Sequence, residues 1–343
     1  MSLSDRRLKI LEAIVKDYIM TAEAVGSRTI SKKYDLGVSA ATIRNEMADL
    51  EEMGYLIQPH TSAGRIPSEK GYRLYVDTLM TRADLDQVEQ EIIKKCILSN
   101  VGQMKNLLEE TVKLLSRLTN YTAIGVTPQL EKTKIKHIQL VKIDSNNVLL
   151  ILVTDTGVVK NTTINTPVDL SDDKLDIISK ILREKIVGKD VYEIDENFIR
   201  YIKSEMVNYS RVIDSIFKEL SSGTLDPTDF EVLLSGATNI FNFPEFNDIV
   251  KAKAFLNMLE QKEKIAEILN TKGIQKDNVN IVIGTKSSCE IAKDCSIITA
   301  IYSVGGKTIG KLGIIGPTRM DYSKVYASID YVGKILNDIF NKE

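Results

Sequence analysis

The sequence predicts an α+β protein with more than one domain. Three observations support this prediction: the chain has 343 residues, some stretches follow a helical hydrophobic period, and others follow the pattern of strands. A prior of roughly 150 residues per domain gives two or three domains. Hydrophobic residues make up 43% and charged residues 27% of the chain, which is typical of a folded globular protein.

Signals for membranes, disulfides, metals and catalysis are weak. The N-terminus lacks the apolar core of a signal peptide, and the strongest apolar run, residues 148–153, is too short to span a bilayer. We therefore expect a cytoplasmic protein without membrane contact. The 3 cysteines and 2 histidines are spaced neither as a disulfide framework nor as a zinc site. No catalytic arrangement is recognisable, so we expect no enzyme activity, cofactor or metal.

Two helices are predicted first. Between residues 5 and 20, apolar side chains recur at spacings of three and four, which predicts an amphipathic helix. A shorter helix follows, with Ser27 as its expected N-cap and Ile30 facing inward. Gly37 suits the tight connection after it, because glycine adopts positive φ without strain.

The third helix has two contrasting faces. Ser39 is its expected N-cap, and Ile43, Met47 and Leu50 form its apolar face. At about 100° per residue, small and hydrogen-bonding side chains fall on the opposite face. An Asn on such a face can pair with adenine and an Arg with guanine or phosphate, which favours reading of a DNA major groove. The members of this face are Ala41, Thr42, Arg44 and Asn45.

A β-hairpin is predicted after Gly54, which ends the third helix. Its tip spans residues 60–65 and carries His60, Thr61 and Arg65. A helix-turn-helix followed by such a hairpin is the pattern of a winged helix, in which cations on the hairpin and on the preceding helix contact phosphates. The candidate DNA-binding residues are Arg28, Ser39, Ala41, Thr42, Arg44, Asn45, His60, Thr61 and Arg65.

Net charge weighs against DNA binding, because residues 1–80 contain as many Asp and Glu as Lys and Arg. The prediction therefore depends on where the charges lie, with Arg28, Lys32 and Lys33 expected to gather on one side. The polar face of the third helix has a second interpretation as an ordinary solvated helix face, and the sequence pattern alone leaves both open.

The rest of the chain alternates between helices and strands. Residues 84–118 predict helices broken near residues 100–102, and residues 135–163 predict a strand meander. We expect that meander to begin a sheet that residues 280–284, 297–304 and 307–315 resume. A hairpin turn at Gly305 and Gly306 and a last helix complete the prediction. The turn at residues 316–320 has two interpretations, an anion-binding loop around Arg319 or a plain connection.

A long apolar seam is predicted between residues 199 and 220. Its side chains alternate at spacings of three and four, the pattern of a coiled-coil helix that joins two chains. Packing against its own chain is the other interpretation. The candidate dimerisation residues are Ile202, Met206, Tyr209, Ile213 and Ile216.

Several long blocks resemble the HrcA family of heat-inducible transcription repressors of bacterial chaperone operons. In the N-terminal part they are VGSRTI (residues 25–30), VSAATIRNEMADLEEMGYL (38–56) and PHTSAGRIPSEKGYR (59–73). In the C-terminal part they are GATNIFNFPEFNDIVKAKAFLNMLEQ (236–261), DCSIITAIY (294–302) and GIIGPTRMDYSKV (313–325). This sequence has Ala24 where the family usually has Pro, and Ser68 where it usually has Thr.

The resemblance implies a GAF-like domain with an inserted dimerisation domain, a homodimer on an inverted-repeat DNA operator, and dependence on the GroE chaperonin. It favours a winged helix in residues 1–80, a GAF-like domain with linker helices in residues 81–160 and 223–343, and the inserted helical dimerisation domain in residues 161–222. Two other functions stay open: a ligand-sensing or enzymatic GAF-like protein, and an RNA-binding winged helix, for which few aromatics are available to stack bases.

Overall fold

The computed structural model describes most of the chain. The described residues are 3–60, 63–100, 104–127, 134–155, 157, 159–190, 193–219, 231–284, 290–304 and 307–340. They form a mixed α/β structure with several sheets. None of the helices described within these ranges is long and apolar enough to cross a membrane.

The N-terminal unit contains three helices and a short hairpin, at the positions the sequence predicts. The elements are α1 (Asp5–Thr21), α2 (Ser27–Lys33), α3 (Ala40–Glu52), β1 (Leu56–Ile57) and β2 (Ile66–Pro67). Gly37 has φ 67° and Gly54 has φ 77°, so both glycines take the left-handed conformation that their turns require. The predicted N-cap of α2 is wrong by one position: Gly26 is the N-cap and Ser27 is the first helical residue.

Helices connect this unit to the body. They are α4 (Glu69–Leu74), followed by a π-helical turn over Tyr75–Leu79, α5 (Gln87–Leu98) and α6 (Met104–Thr119). Ser68 is the N-cap of α4, because its hydroxyl accepts a hydrogen bond from the Gly71 N–H at 3.1 Å. Serine thus performs this capping role where the family usually has threonine. The break between α5 and α6 falls where it was predicted, with residues 101–103 outside the described ranges.

A six-stranded antiparallel sheet forms the centre of the body. In chain order its strands are β3 (Thr122–Val126), β7 (Val232–Ser235), β8 (Ile274–Lys276), β9 (Val279–Ile283), β10 (Cys295–Val304) and β11 (Lys307–Pro317), and in space they run β7-β3-β11-β10-β9-β8. The predicted strands near residues 280, 297 and 307 are confirmed. Residues 305 and 306, the predicted turn, lie outside the described residues, and Val304 pairs with Lys307 across that gap.

Helices cover both faces of this sheet. Ile298 and Ile314 belong to a core that includes α6 and the last helix, α12 (Tyr322–Phe340). Their neighbours Ile297 and Ile315 face the other way, into a core with α10 (Ile249–Leu259) and α11 (Lys262–Asn270). This alternation is the two-residue period of a strand buried on both faces.

Residues 134–219 form a unit with its own sheet and its own core, outside the six-stranded sheet. The elements are β4 (Ile135–Lys142), β5 (Asn147–Thr154), β6 (Val159–Asn165), α7 (Asp172–Ile186), α8 (Glu196–Glu205) and α9 (Ser210–Glu219). The expectation that residues 135–163 begin the large sheet is therefore wrong. The inward side chains Ile138 and Leu150 share a core with Ile178 of α7, so the boundary expected at residue 161 falls inside this unit.

The prediction of one long helix over residues 199–220 is also wrong. The chain leaves helical geometry at Met206 (φ −118°, ψ 48°), and a short 3-10 turn separates α8 from α9. Ile202, Met206, Ile213 and Ile216 are at most 3% exposed, and Tyr209 packs partly buried beside them in the unit's own core. Hence the four buried side chains are covered by their own chain in this fold, and Tyr209 is covered in part. The spacing predicted the apolar stripe, but a stripe does not specify which chain covers it.

Candidate nucleic-acid interface

Helix α3 presents the polar face that the sequence predicts. Ile43, Met47 and Leu50 are at most 4% exposed and pack inward. Ala41, Arg44 and Asn45 are exposed on the other side, and Thr42 is half-buried beside them. The first two turns of α3 therefore offer one small side chain, one guanidinium and one amide to the outside.

Two hydroxyl groups define where α3 begins. Ser39 is the N-cap, since its Oγ accepts a hydrogen bond from the Thr42 N–H at 3.1 Å, and it lies 3.0 Å from the Thr42 Oγ1. Both predicted site residues thus have a structural role at the helix start. Ser39 and Ala41 are exposed, so the start of α3 with the positive end of its dipole is open to solvent, which favours an anion such as a phosphate.

Three of the four carboxylates of α3, those of Glu46, Asp49 and Glu51, have cationic partners. Arg7 of α1 contacts two of them: its Nε lies 2.7 Å from the Glu46 Oε2, and its Nη2 hydrogen-bonds Asp49. The hydrogen bond to Glu46 raises the pKa of Arg7. On the other side, the Arg65 Nε lies 2.8 Å from the Glu51 Oε2. These pairs offset most of the acidic charge of α3, which reduces the repulsion that an anion at the helix start would meet.

The hairpin is pinned to the segment that leads into α2. Leu56 pairs with Pro67 in the hairpin, and Val25 forms an isolated antiparallel bridge with Arg65, with both backbone N–H to oxygen distances at 2.9 Å. At the hairpin tip His60 is exposed, and its carbonyl accepts a hydrogen bond from the Ala63 N–H at 2.9 Å. Thr61, also a predicted DNA-binding residue, lies outside the described residues.

The structure pairs Arg65, a predicted DNA-binding cation of the hairpin tip, with a carboxylate. Arg65 directly precedes the returning strand β2, its side chain is 19% exposed, and Glu51 holds it against the C-terminal half of α3. The sequence pattern could not show this, because the partner carboxylate is on a different element. In this structure Arg65 fastens the hairpin to α3.

Helix α2 supplies the exposed cations of this surface. Arg28 and Lys32 are exposed. Lys33 instead hydrogen-bonds Asp17 of α1, whose side chain is only 5% exposed, and this bond raises the pKa of Lys33. All three cations predicted to gather on α2 are therefore exposed, and the charge of one of them, Lys33, is paired with a buried carboxylate.

Outside this surface, the described ranges bear on two further kinds of site, one for a metal ion and one for an anion. Among the described residues there is no group of three His, Cys, Asp or Glu side chains that could hold a metal ion. The guanidinium of Arg319 contacts Glu245 at 2.6 Å and the Ile19 carbonyl oxygen at 2.6 Å. Of the two interpretations of the turn at residues 316–320, the structure therefore favours the connection over the anion-binding loop.

Sequence reasoning missed the residues that attach the N-terminal unit to the body. The Arg73 Nη2 donates to the Ile283 carbonyl at 2.8 Å, and the rings of Tyr72 and Tyr322 lie 5.9 Å apart. The partners in these contacts are more than 200 residues apart, so no helical or strand spacing relates them. The one available signal was that two of the blocks quoted above contain three of these four residues: residues 59–73 contain Tyr72 and Arg73, and residues 313–325 contain Tyr322.

The chain is similar to proteins of one family along nearly its whole length. Residues 105–326 match the family model described as HrcA protein C terminal domain. The chain is 56% identical over 338 residues to the heat-inducible transcription repressor HrcA of Clostridioides difficile (strain 630), covering 98% of this chain and 99% of that relative. It is 46% identical over 340 residues to the protein of the same name from Alkaliphilus metalliredigens (strain QYMF), covering 99% of this chain and 98% of that relative.

A solved structure shares the fold. A crystal structure of a hypothetical protein at 2.2 Å resolution matches with a TM-score of 0.68 and 24% sequence identity, covering 99% of both chains. At this identity the likeness concerns architecture alone.

Proposed function

This chain belongs to the HrcA family, and we propose from that premise that it is a heat-inducible transcription repressor whose N-terminal unit binds an operator in duplex DNA. The observation that carries the proposal is the polar face of α3, on which Arg44 and Asn45 are exposed while Glu46 and Asp49 are paired with Arg7. The names of the relatives supply the regulatory role. Enzyme activity has no part in this proposal.

In the proposed complex the N-terminal unit, residues 1–80, acts as a winged helix. The start of α3 enters the major groove, and Ala41 lets the helix backbone approach the bases closely. Asn45 pairs with a base edge, and Arg44 contacts guanine or phosphate. Arg28 contacts phosphate from α2, and the exposed His60 lies at the hairpin tip near the backbone. Ser39 and Thr42 define the helix end that faces a phosphate.

The remaining units provide the platform. We assign the six-stranded sheet and its helices to a GAF-like domain, and residues 134–219 to a unit inserted into it between β3 and β7. Two copies of the chain bind the two halves of an inverted repeat, because a twofold dimer presents two identical recognition helices to related half-sites. The dimer contact uses surfaces other than Ile202, Met206, Ile213 and Ile216, which are buried in their own chain.

In the proposed mechanism, heat ends repression by unfolding part of the protein population. A typical domain is stable by about 5 to 15 kcal/mol, so a few degrees near the unfolding midpoint change the folded fraction steeply. Loss of one partner in a dimer also removes the second half-site contact. The GroE chaperonin, which the family resemblance implies as a partner, then restores repression by refolding the chain. DNA binding that is lost on heating while tertiary structure and dimer both persist would contradict this mechanism.

Selection from a pool of randomised DNA duplexes tests the proposed function. We expect enrichment of one inverted repeat, bound at least about 1,000-fold more tightly than random duplex at fixed salt concentration. A pool that yields no preferred sequence would contradict the proposal. Hairpin RNA that competes as well as the selected duplex would favour the RNA-binding function instead.

A further inference from the structure

The last turn of α1 is capped by a side chain from the opposite end of the sequence. The carbonyl of Ile19 is one of the last four in α1, which have no partner within the helix. The Arg319 Nη1 donates to that oxygen at 2.6 Å. The last turn of α1 contains no basic residue, so Arg319 supplies the cation that the negative end of the helix dipole favours.

The same guanidinium is held by a carboxylate of the body. The Arg319 Nε lies 2.6 Å from the Glu245 Oε1, and the Nη2 lies 3.3 Å from the Oε2. The Arg319 side chain is 10% exposed and that of Glu245 28% exposed, so the pair is largely shielded from water. Because the guanidinium is a rigid planar fork, three acceptors fix its position in a way that one flexible ammonium does not.

The backbone around Arg319 is also fixed. Tyr322 is fully buried, and its hydroxyl donates to the Thr318 carbonyl at 2.6 Å. The Tyr121 hydroxyl accepts a hydrogen bond from the Asp321 N–H at 3.1 Å, and the Tyr121 ring stacks on Phe243 at 5.1 Å. The turn that carries Arg319 is thus a rigid part of the body.

Helix α1 is in turn tied to α3. Arg7 joins the two helices through Glu46 and Asp49, and the fully buried Ile14 and Ile43 belong to one core. A change in the position of the end of α1 therefore moves α3 with it. Arg73 and Ile283 form a separate attachment, so loss of the Arg319 contact would tilt the N-terminal unit without detaching it.

We propose that Arg319 is a positioning residue for DNA binding: by bridging Glu245 and the end of α1, it sets the angle at which α3 is presented. This inference rests on the proposed function, because the angle matters when two copies of α3 must meet two half-sites together. Each N-terminal unit by itself should bind a half-site equally well with or without the bridge. Binding of both half-sites requires the two units to be held at one spacing.

The test uses the full chain and replaces both partners of the Arg319–Glu245 ion pair together. Arg319→Gln combined with Glu245→Gln leaves no unpaired charge at the joint, which limits the cost to folding. The control is Lys251→Gln with Asp294→Asn, since that pair, at 2.8 Å, joins α10 to a neighbouring 3-10 turn within the body. Glu245→Gln alone is a second comparison, because Arg319 then keeps its bond to Ile19.

Two readouts are measured in these variants. Spin labels are attached at exposed position 9 on α1 and exposed position 262 on α11, in a chain whose native cysteines are replaced. Double electron–electron resonance between the two labels then reports the distance between the N-terminal unit and the body. Binding is measured on the selected inverted repeat and on a duplex with one half-site. We expect the Arg319→Gln, Glu245→Gln variant to give a broadened distance distribution and about tenfold weaker binding to the full repeat, with half-site binding unchanged.

The control pair should keep the narrow distribution of the wild type, and Glu245→Gln alone should broaden it less than the Arg319→Gln, Glu245→Gln variant does. A narrow distribution in the Arg319→Gln, Glu245→Gln variant, or equal losses on half-site and full repeat, would overturn the positioning role. If the wild type binds no duplex, the proposed function fails. The distance measurement still decides whether Arg319 fixes the N-terminal unit.

Discussion

A β-carbon on Gly64 would lie 2.3 Å from the carbonyl oxygen of Val25. No side chain fits there, because the obstacle is backbone that is itself hydrogen-bonded to Arg65. Glycine at this position lets the hairpin lie against the segment before α2. The relative placement of hairpin and helices in the N-terminal unit therefore depends on the absence of a side chain at position 64.

Gly64→Ala should separate the hairpin from that segment. We expect a loss of about 1 to 3 kcal/mol in stability and weaker DNA binding, because the added methyl group forces Val25 and Arg65 apart. Hydrogen exchange at the amides of these two residues measures the separation. Gly26→Ala is the matched control, since the nearest atom to its β-carbon is 3.8 Å away. Unchanged protection of both amides in Gly64→Ala would refute the expected clash.

Asn45→Ala should weaken sequence discrimination. Asn45 is exposed on the polar face of α3, and loss of one bidentate base contact costs about 1 to 3 kcal/mol. Fluorescence anisotropy on the selected repeat and on random duplex, at one salt concentration, measures the difference. We expect a small change on random duplex. Equal losses on both duplexes would make Asn45 a phosphate or packing residue.

Arg28 and Arg65 should differ in the salt dependence of DNA binding. Arg28 is exposed, so Arg28→Ala should remove one phosphate contact and lower the slope of log K against log salt by about 0.9. Arg65 is 19% exposed and paired with Glu51, so Arg65→Ala should leave that slope unchanged. Titrations between low and moderate salt measure both slopes. The reverse order would mean that Arg65 leaves Glu51 to contact DNA.

Met206→Glu should destabilise the fold, whereas Val207→Glu should not. Met206 is 3% exposed in the core of the 134–219 unit, whereas Val207 is 70% exposed. A charge at position 206 loses its hydration without gaining a partner, so we expect a loss of several kcal/mol. Position 207 should tolerate the same change. Chemical unfolding of both variants measures this; a folded, monomeric Met206→Glu protein would instead restore the dimer-seam interpretation.

Stability should fall at high pH through Tyr75. Burial raises the pKa of Tyr75 from its ordinary value of 10.0 to about 12, and its side chain lies where the N-terminal unit meets the body. The folded state then keeps a proton that the unfolded chain releases, so stability is complete below pH 10 and declines as pH rises toward 12. The decline from this one group is at most about 1.4 kcal/mol per pH unit.

Tyr75→Phe isolates that contribution, because other buried tyrosines add to the wild-type slope. Urea unfolding at pH 9, 10 and 11 should show a shallower decline in the variant than in the wild type. Identical declines would mean that Tyr75 titrates normally in the folded chain.

Local patterns predicted the N-terminal unit well. The positions of α1, α3 and the hairpin follow from side-chain spacing, capping by Ser39 and a left-handed glycine at 54, all of which act over a few residues. The polar face of α3 was predictable for the same reason. The ion pair of Arg65 was not predicted because it depends on Glu51, whose direction is set by the packing of α3 rather than by the sequence near Arg65.

Nonlocal structure was not predictable from spacing. The alternation in residues 135–163 identifies strands but does not show which sheet they join. Ile138 packs in a core with side chains of α7 and not with those of β10. Likewise, the spacing from Ile199 to Ile216 is compatible with a coiled coil or with two short helices. The turn at Met206 and the partners on β4 to β6 decide between these. The Arg319 bridge joins residues 300 positions apart and has no local signal.

Directed cleavage of DNA tests the central claim most directly, namely that α3 reads the major groove of an inverted repeat. An iron chelate attached to a cysteine at exposed position 41, in a chain whose other cysteines are replaced, cuts DNA close to the start of α3; the same chelate at exposed position 262 on α11 is the control. We expect position 41 to give two cleavage centres, symmetric about the centre of the selected repeat and within its half-sites, and position 262 to give none there. Cleavage from position 41 that is absent, or spread evenly along the duplex, would contradict the account.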